Sequence, residues 1–168
     1  MTRQNPDFSR GRPAGSLLVD WWQALQEDPG GRAELRRCTT TTEAVFVPAF
    51  HRLNRALHKE HRLDTDRLAT SVIVLSHVRK DVPGESLGGM MGAPQSKGGA
   101  SRVSDMRFRR LLRISERNTL IEQMVRMVAL LDNAVPVDDL ARKCYWWNET
   151  ARKQLAFDYY EAAPRPKS

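Results

Sequence analysis

The sequence predicts an all-α protein: a bundle of about eight helices, arranged as two small helical subdomains (16–80 and 102–161) around a flexible glycine-rich connecting loop (81–101). Residues 1–15 and 162–168 are expected to be disordered. Three observations carry this prediction. Apolar residues recur at helical spacing in nearly every periodic segment. Capping residues or breakers stand at the ends of those segments. No pair of alternating runs flanks a hairpin turn. The 168 residues suit one ordinary domain or two very small ones, and 40% hydrophobic residues suffice for a core.

The first helix is expected over Ser16 to Gln26, with Leu18, Trp21, Trp22 and Leu25 on one face, stopped by Pro29-Gly30-Gly31. Arg32 to Cys38 reads as a short basic helix. The threonine run Thr39 to Thr42, followed by Glu43, offers a cap, and Pro48 stands where a first-turn proline loses no hydrogen bond. Phe50, Leu53 and Leu57 follow at helical spacing. Asp64 to His77 reads as a helix with Leu68, Val72 and Leu75 inward. Asp81 to Ser101 holds six of the ten glycines and two prolines with little periodicity, hence the expected loop. Ser104 caps a helix to about Ile114, with Met106, Leu111 and Leu112 as core candidates. Thr119 to Leu131 carries an inward stripe of Ile121, Met124, Val125, Val128 and Leu131. Pro136 separates it from Val137 to Trp147, and Asn148 caps a last helix to about Glu161.

The search for chemistry excludes more than it finds. His58 and His61 lack a third nearby metal ligand, and no HExxH pattern occurs. Gly92-Ala93-Pro94-Gln95-Ser96-Lys97 lacks the spacing of a phosphate-binding P-loop. Asp138-Asp139 sits at a helix start, where acids favour the dipole. Neither catalysis, nor a metal, nor a cofactor is expected. No run reaches the ~20 apolar residues of a membrane span, and no apolar segment of a signal peptide appears near the N-terminus. Cys38 and Cys144 read as buried thiols of a cytoplasmic protein. The tryptophans, Trp21, Trp22, Trp146 and Trp147, read as core before they read as base-stacking platforms.

Charge is more informative. Lys and Arg number 27 against 20 Asp and Glu, a net +7 that favours polyanion partners. Seven arginines and three acids fall between Arg102 and Arg126. Guanidinium groups grip phosphate with two prongs and stack on bases, which ammonium groups do not. Helical spacing places Arg109, Arg113 and Arg117 on one face, with Arg102 and Arg110 alongside. Arg36-Arg37, His51-Arg52, Arg142-Lys143 and Arg152-Lys153 form smaller clusters.

Several segments in order resemble the CasB family, the small subunit of the type I-E CRISPR surveillance complex Cascade. They are Leu35-Arg36-Arg37-Cys38, then Val47-Pro48-Ala49-Phe50-His51-Arg52-Leu53, then Ser86-Leu87-Gly88. Arg102-Val103-Ser104 and the arginine helix follow, and Trp146-Trp147 precedes a basic helix ending Gln154-Leu155-Ala156-Phe157-Asp158-Tyr159. Order and spacing hold from about Trp21 to Tyr160.

The resemblance implies an all-helical, non-catalytic antiviral-defence subunit, present in two copies stacked head to tail. It implies partners too: the backbone and large Cascade subunits, the crRNA, and the target and displaced non-target DNA strands, with no membrane role. Position by position, Arg37, Arg52, Arg62, Arg102, Arg107, Arg113 and Arg117 match basic positions of the family, and Arg152 and Lys153 fall in its basic C-terminal helix. Arg109, Arg110, Arg142 and Lys143 join them as candidate nucleic-acid contacts on the spacing argument. If about five arginines each neutralise one phosphate, single-strand affinity should fall with salt at a log–log slope of roughly −3.5. Two other readings stay open on the residues alone: a structural brace that touches no nucleic acid, and a free-standing helical DNA-binding regulator.

Overall fold

The computed structural model describes residues 2–165, and ten helices occupy most of them: α1 (Pro13–Gln26), α2 (Pro29–Arg37), α3 (Thr41–Ala44), α4 (Pro48–His58), α5 (Thr65–Leu75), α6 (Leu87–Gly92), α7 (Asp105–Leu112), α8 (Arg117–Leu130), α9 (Val137–Tyr145) and α10 (Glu149–Ala162). The all-α class is as expected. A two-residue parallel ladder, β1 (Lys80–Asp81) with β2 (Ala134–Val135), ties the chain after α5 to the turn after α8.

Local chemistry sets most boundaries. Proline opens α1, α2 and α4, where its missing N–H is no loss. Side chains of Asp28, Asp64, Ser86, Ser104, Glu116 and Asn148 each accept from first-turn amides. Thr40 and Glu43 form a reciprocal capping box on α3.

Helix α5 lies at the centre. Every residue from Leu68 to Leu75 is buried, so it is enclosed on all sides, against α8 and α9 chiefly. Its polar members are satisfied: Thr70 donates to the Asp66 carbonyl at 2.7 Å and Ser71 to the Ala141 carbonyl at 3.0 Å. The buried apolar side chains form one cluster that draws on both halves of the chain.

Three segments differ from the sequence reading. Residues 81–101, expected to be a mobile loop, contain α6, which packs along α10. Its glycines are there for contact: a Cβ on Gly88 would stand 2.5 Å from the Leu155 carbonyl oxygen, and one on Gly92 would collide with that of Tyr159. Residues 2–12, expected to be disordered, are held by Phe8, which is fully buried edge-on to Tyr145 at 5.3 Å. Arg10 also bridges Asp81 and Asp138 at 2.7 and 3.1 Å. Met106, expected in the core, is exposed, and Phe108 fills that role by stacking on Tyr159 at 3.9 Å. The expected disordered tail, 162–168, begins on the last residue of α10, and 166–168 lie outside the described residues.

Candidate nucleic-acid interface

Helix α7 is short, and its arginines divide between two directions. Arg107 and Arg110 turn toward α8, where with Arg126 they rim a groove of about 570 Å³ floored by Ile114, Met127 and Leu130. Arg109 turns the other way, pairing with Asp105 at 3.0 Å beside Tyr160. Arg113 caps the helix and is exposed. Arg107, Arg110 and Arg113 carry no ion pair among the described residues.

Arg117 was expected to share a face with Arg109 and Arg113. It does not, because α7 ends at Leu112 and Arg117 is the first residue of α8. Its half-buried guanidinium donates to the carbonyls of Cys144 and Tyr145, the latter at 2.9 Å. It thus closes the C-terminus of α9, whose last carbonyls have no partner within the helix. Burial is the main cause that pulls its pKa below the usual arginine value.

The Arg142-Lys143 cluster is also an internal feature. Asp139, Arg142 and Lys143 lie at i, i+3 and i+4 on α9, and both cations reach the Asp139 carboxylate at 2.8 Å. Lys143 is buried, and Asp139 also accepts from the Leu87 amide at 2.7 Å, anchoring the start of α6. Burial alone would raise the Asp139 pKa. The Lys143 ammonium, the hydrogen bonds from Lys143 and Leu87, and Arg142 outweigh burial and hold it below the usual carboxylate value.

The other predicted residues fall between these extremes. Arg102 is mostly covered and pairs with Asp132 at 3.0 Å, and Arg152 donates to the carbonyls of Asn148 and Leu112. Arg52 pairs with Asp28 at 2.7 Å and Lys153 with Glu149 at 3.2 Å, both on the surface. Arg37 and Arg62 are exposed with no ion pair among the described residues. Trp21 and Trp22 are core, as expected, and donate to the carbonyls of Ala49 and Val78.

The fold also assembles cations that the sequence reading did not place together. A second groove, of about 500 Å³, lies between the end of α2 and α8, walled by Arg36, His77 and Arg126. Thr119 and Arg126 border both grooves, so the two run along either side of one stretch of α8. Arg126, absent from the sequence-based candidates, pairs with Glu122 four residues earlier at 2.9 Å. Among the described residues, no group of three or more His, Cys, Asp or Glu is placed to hold a metal, and no helix is long and apolar enough to cross a membrane.

Fold and surface therefore define a basic, mostly helical protein with two grooves along α8, one lined by Arg107 and Arg110, the other by Arg36, none of which has an ion pair among the described residues. Comparison with known proteins narrows this class. The family model described as CRISPR-associated protein Cse2 (CRISPR_cse2) matches residues 31–160, and the chain belongs to that family. It is 31% identical over 147 residues to the CRISPR system Cascade subunit CasB of Escherichia coli (strain K12), covering 82% of this chain and 87% of that protein. It also resembles a chain in the crystal structure of E. coli Cascade bound to a PAM-containing dsDNA target. There the TM-score is 0.67 at 26% identity, covering 88% of this chain and 93% of that one. The family expected from the sequence is the family found.

Proposed function

We propose that this chain is a non-catalytic subunit of a Cascade-type CRISPR complex. It braces the crRNA-bearing backbone beside a second copy of itself, and its α7–α8 face lines the path of target and displaced DNA strands. The observation that carries this reading is the set of exposed arginines, Arg107, Arg110 and Arg113, that lack acidic partners in a chain so similar to a Cascade subunit. Guide pairing reads sequence in such complexes, so a protein lining the strand path needs only to hold phosphates. Exchanging DNA pairs for RNA–DNA pairs is nearly balanced in energy, and a cationic track for the freed strand shifts that balance toward the open state.

A purely bracing role is the second reading, favoured by the number of predicted cations turned inward: Arg117, Arg142 and Lys143 serve the protein's own structure. Replacing Arg107, Arg110 and Arg113 by Glu in the assembled complex separates the two. The strand-path reading expects a complete particle with weakened R-loop formation, measured by DNA strand opening. Loss of the subunit from the particle would support the brace instead. Full R-loop formation by an intact mutant particle would overturn the strand path.

A further inference from the structure

The groove between α2 and α8 holds a cluster for which the internal packing gives no use. Arg36 is exposed on its wall and has no ion pair among the described residues. Arg32, one turn earlier on α2, donates from Nε to the Ser76 carbonyl at 3.1 Å, while its Nη2 is buried without any hydrogen-bond partner. A buried guanidinium nitrogen without an acceptor is costly, and native structures rarely leave one so. Arg36 and Arg79 both lie close enough to Arg32 to depress its pKa further, after burial. The acid lining the groove, Glu122, is engaged by Arg126. Arg32, Arg36 and Arg79 therefore stand together at this end with no carboxylate ion-paired to any of them among the described residues.

His77 stands in the same wall. Burial first, then Arg36 and Arg32, push its pKa from 6.5 down to about 4, so the ring is neutral at physiological pH. Cys38, the remaining titratable group lining the groove, is raised by burial, then by the carboxylates of Glu43 and Glu34, and stays a thiol. The charged and titratable groups around His77 are thus cations from α2, Arg79 beyond α5, the Glu122–Arg126 pair of α8, and a neutral thiol with Glu34 and Glu43 near it. An anion beside Arg36 and His77 would offset the repulsion that, after burial, keeps the ring unprotonated.

We propose that the α2–α8 groove is a phosphate-binding site, in which Arg36 grips the anion, His77 is a second, proton-dependent donor, and Arg32 adds positive charge from one turn earlier on α2. The phosphate belongs either to a strand, which rests on the function proposed above, or to a small free molecule. A phosphate charge within hydrogen-bond reach raises a histidine pKa by about 1–3 units. Binding therefore takes up a proton, and affinity rises as pH falls from 7.5 to 5, by about tenfold for a two-unit shift.

The test follows the His77 ring by NMR in the full-length chain while either dimethyl phosphate or a ten-residue oligo(dT) is added. Both probes keep a constant charge across this pH range. The His77 titration midpoint is expected to move up by about one unit or more, and not to move in R36E. A response to the oligonucleotide alone assigns the phosphate to a strand, and a response to dimethyl phosphate alone assigns it to a free ligand. A ring that ignores both overturns the site. If the oligonucleotide still binds while His77 is silent, the groove proposal fails and the strand path along α7 stands. H77Q should keep phosphate binding but lose its pH dependence, and the wild-type titration decides the matter even where that variant folds poorly.

Discussion

At the scale of single residues, the same cation does different work according to what stands beside it. Arg107 and Lys143 both lie in basic stretches of sequence, yet Arg107 is exposed and unpaired while Lys143 is buried against Asp139. The deciding fact for Lys143 is a carboxylate four residues earlier on a face that packs into the core. A buried pair is weak evidence of net stability, but removing one partner strands the other charge, at about 3–5 kcal/mol. Lys143→Met should therefore destabilise the protein by about 3 kcal/mol, the low end because Arg142 and the Leu87 amide still reach Asp139. Urea unfolding measures this, and adding Asp139→Asn should restore part of the loss, because the two sites are coupled. A loss under ~1 kcal/mol, ordinary for an exposed pair, would show that Lys143 is not buried as described. The depressed Asp139 pKa gives a pH direction as well. Its contribution is fully present above the usual carboxylate pKa and is lost as pH falls through its lower folded value.

At the scale of elements, caps and prolines were legible, and close contacts were not. Pro48, Ser104 and Asn148 mark helix starts in the sequence and do so in the fold. Helix α6 was missed because Gly88 and Gly92 are strong turn formers in isolation and close-contact residues only beside α10, where their partners Leu155 and Tyr159 each lie 67 residues further along the chain. The same limit hid Phe8, a single aromatic anchor within an otherwise polar N-terminal segment. If α6 depends on that approach, Gly92→Ala should be costly although alanine favours helix. Its methyl group would collide with the Tyr159 backbone, and such overpacking costs about 1–3 kcal/mol. Gly84→Ala, in open space but at φ +87°, tests a different cause, backbone strain without collision. Thermal unfolding of the two variants separates them, because only Gly92→Ala should also loosen amide protection along α10. A stabilised Gly92→Ala would mean that α6 and α10 are not in contact.

For the whole molecule, the net +7 announces a polyanion partner without locating it. The arginine run between Arg102 and Arg126 pointed to α7 and α8, and the structure keeps Arg107, Arg110 and Arg113 outward there. The grooves themselves were hidden, because Arg36, His77 and Arg126 meet only when α2 packs near α8. This redistribution changes the expected salt dependence. Cations already satisfied inside the protein release no counterions when a strand binds, so Arg117, Arg142 and Lys143 drop out of the count. Surface-paired Arg126 contributes little, because Glu122 already balances it. On the α7–α8 face and its grooves Arg36, Arg107, Arg110 and Arg113 remain, the exposed Arg37 and Arg62 lining neither groove. Four phosphates neutralised on a single strand give a log–log slope of about −2.8, shallower than the sequence alone implied. Two variants make the point decisive. R107Q with R110Q should flatten the slope by about 1.4, whereas R117Q should lower stability and leave the slope of the folded protein unchanged. Fluorescence anisotropy of a labelled oligo(dT) across salt concentrations reads both. An equal flattening by R117Q would return Arg117 to the phosphate track and show that the α9 carbonyls do not hold it.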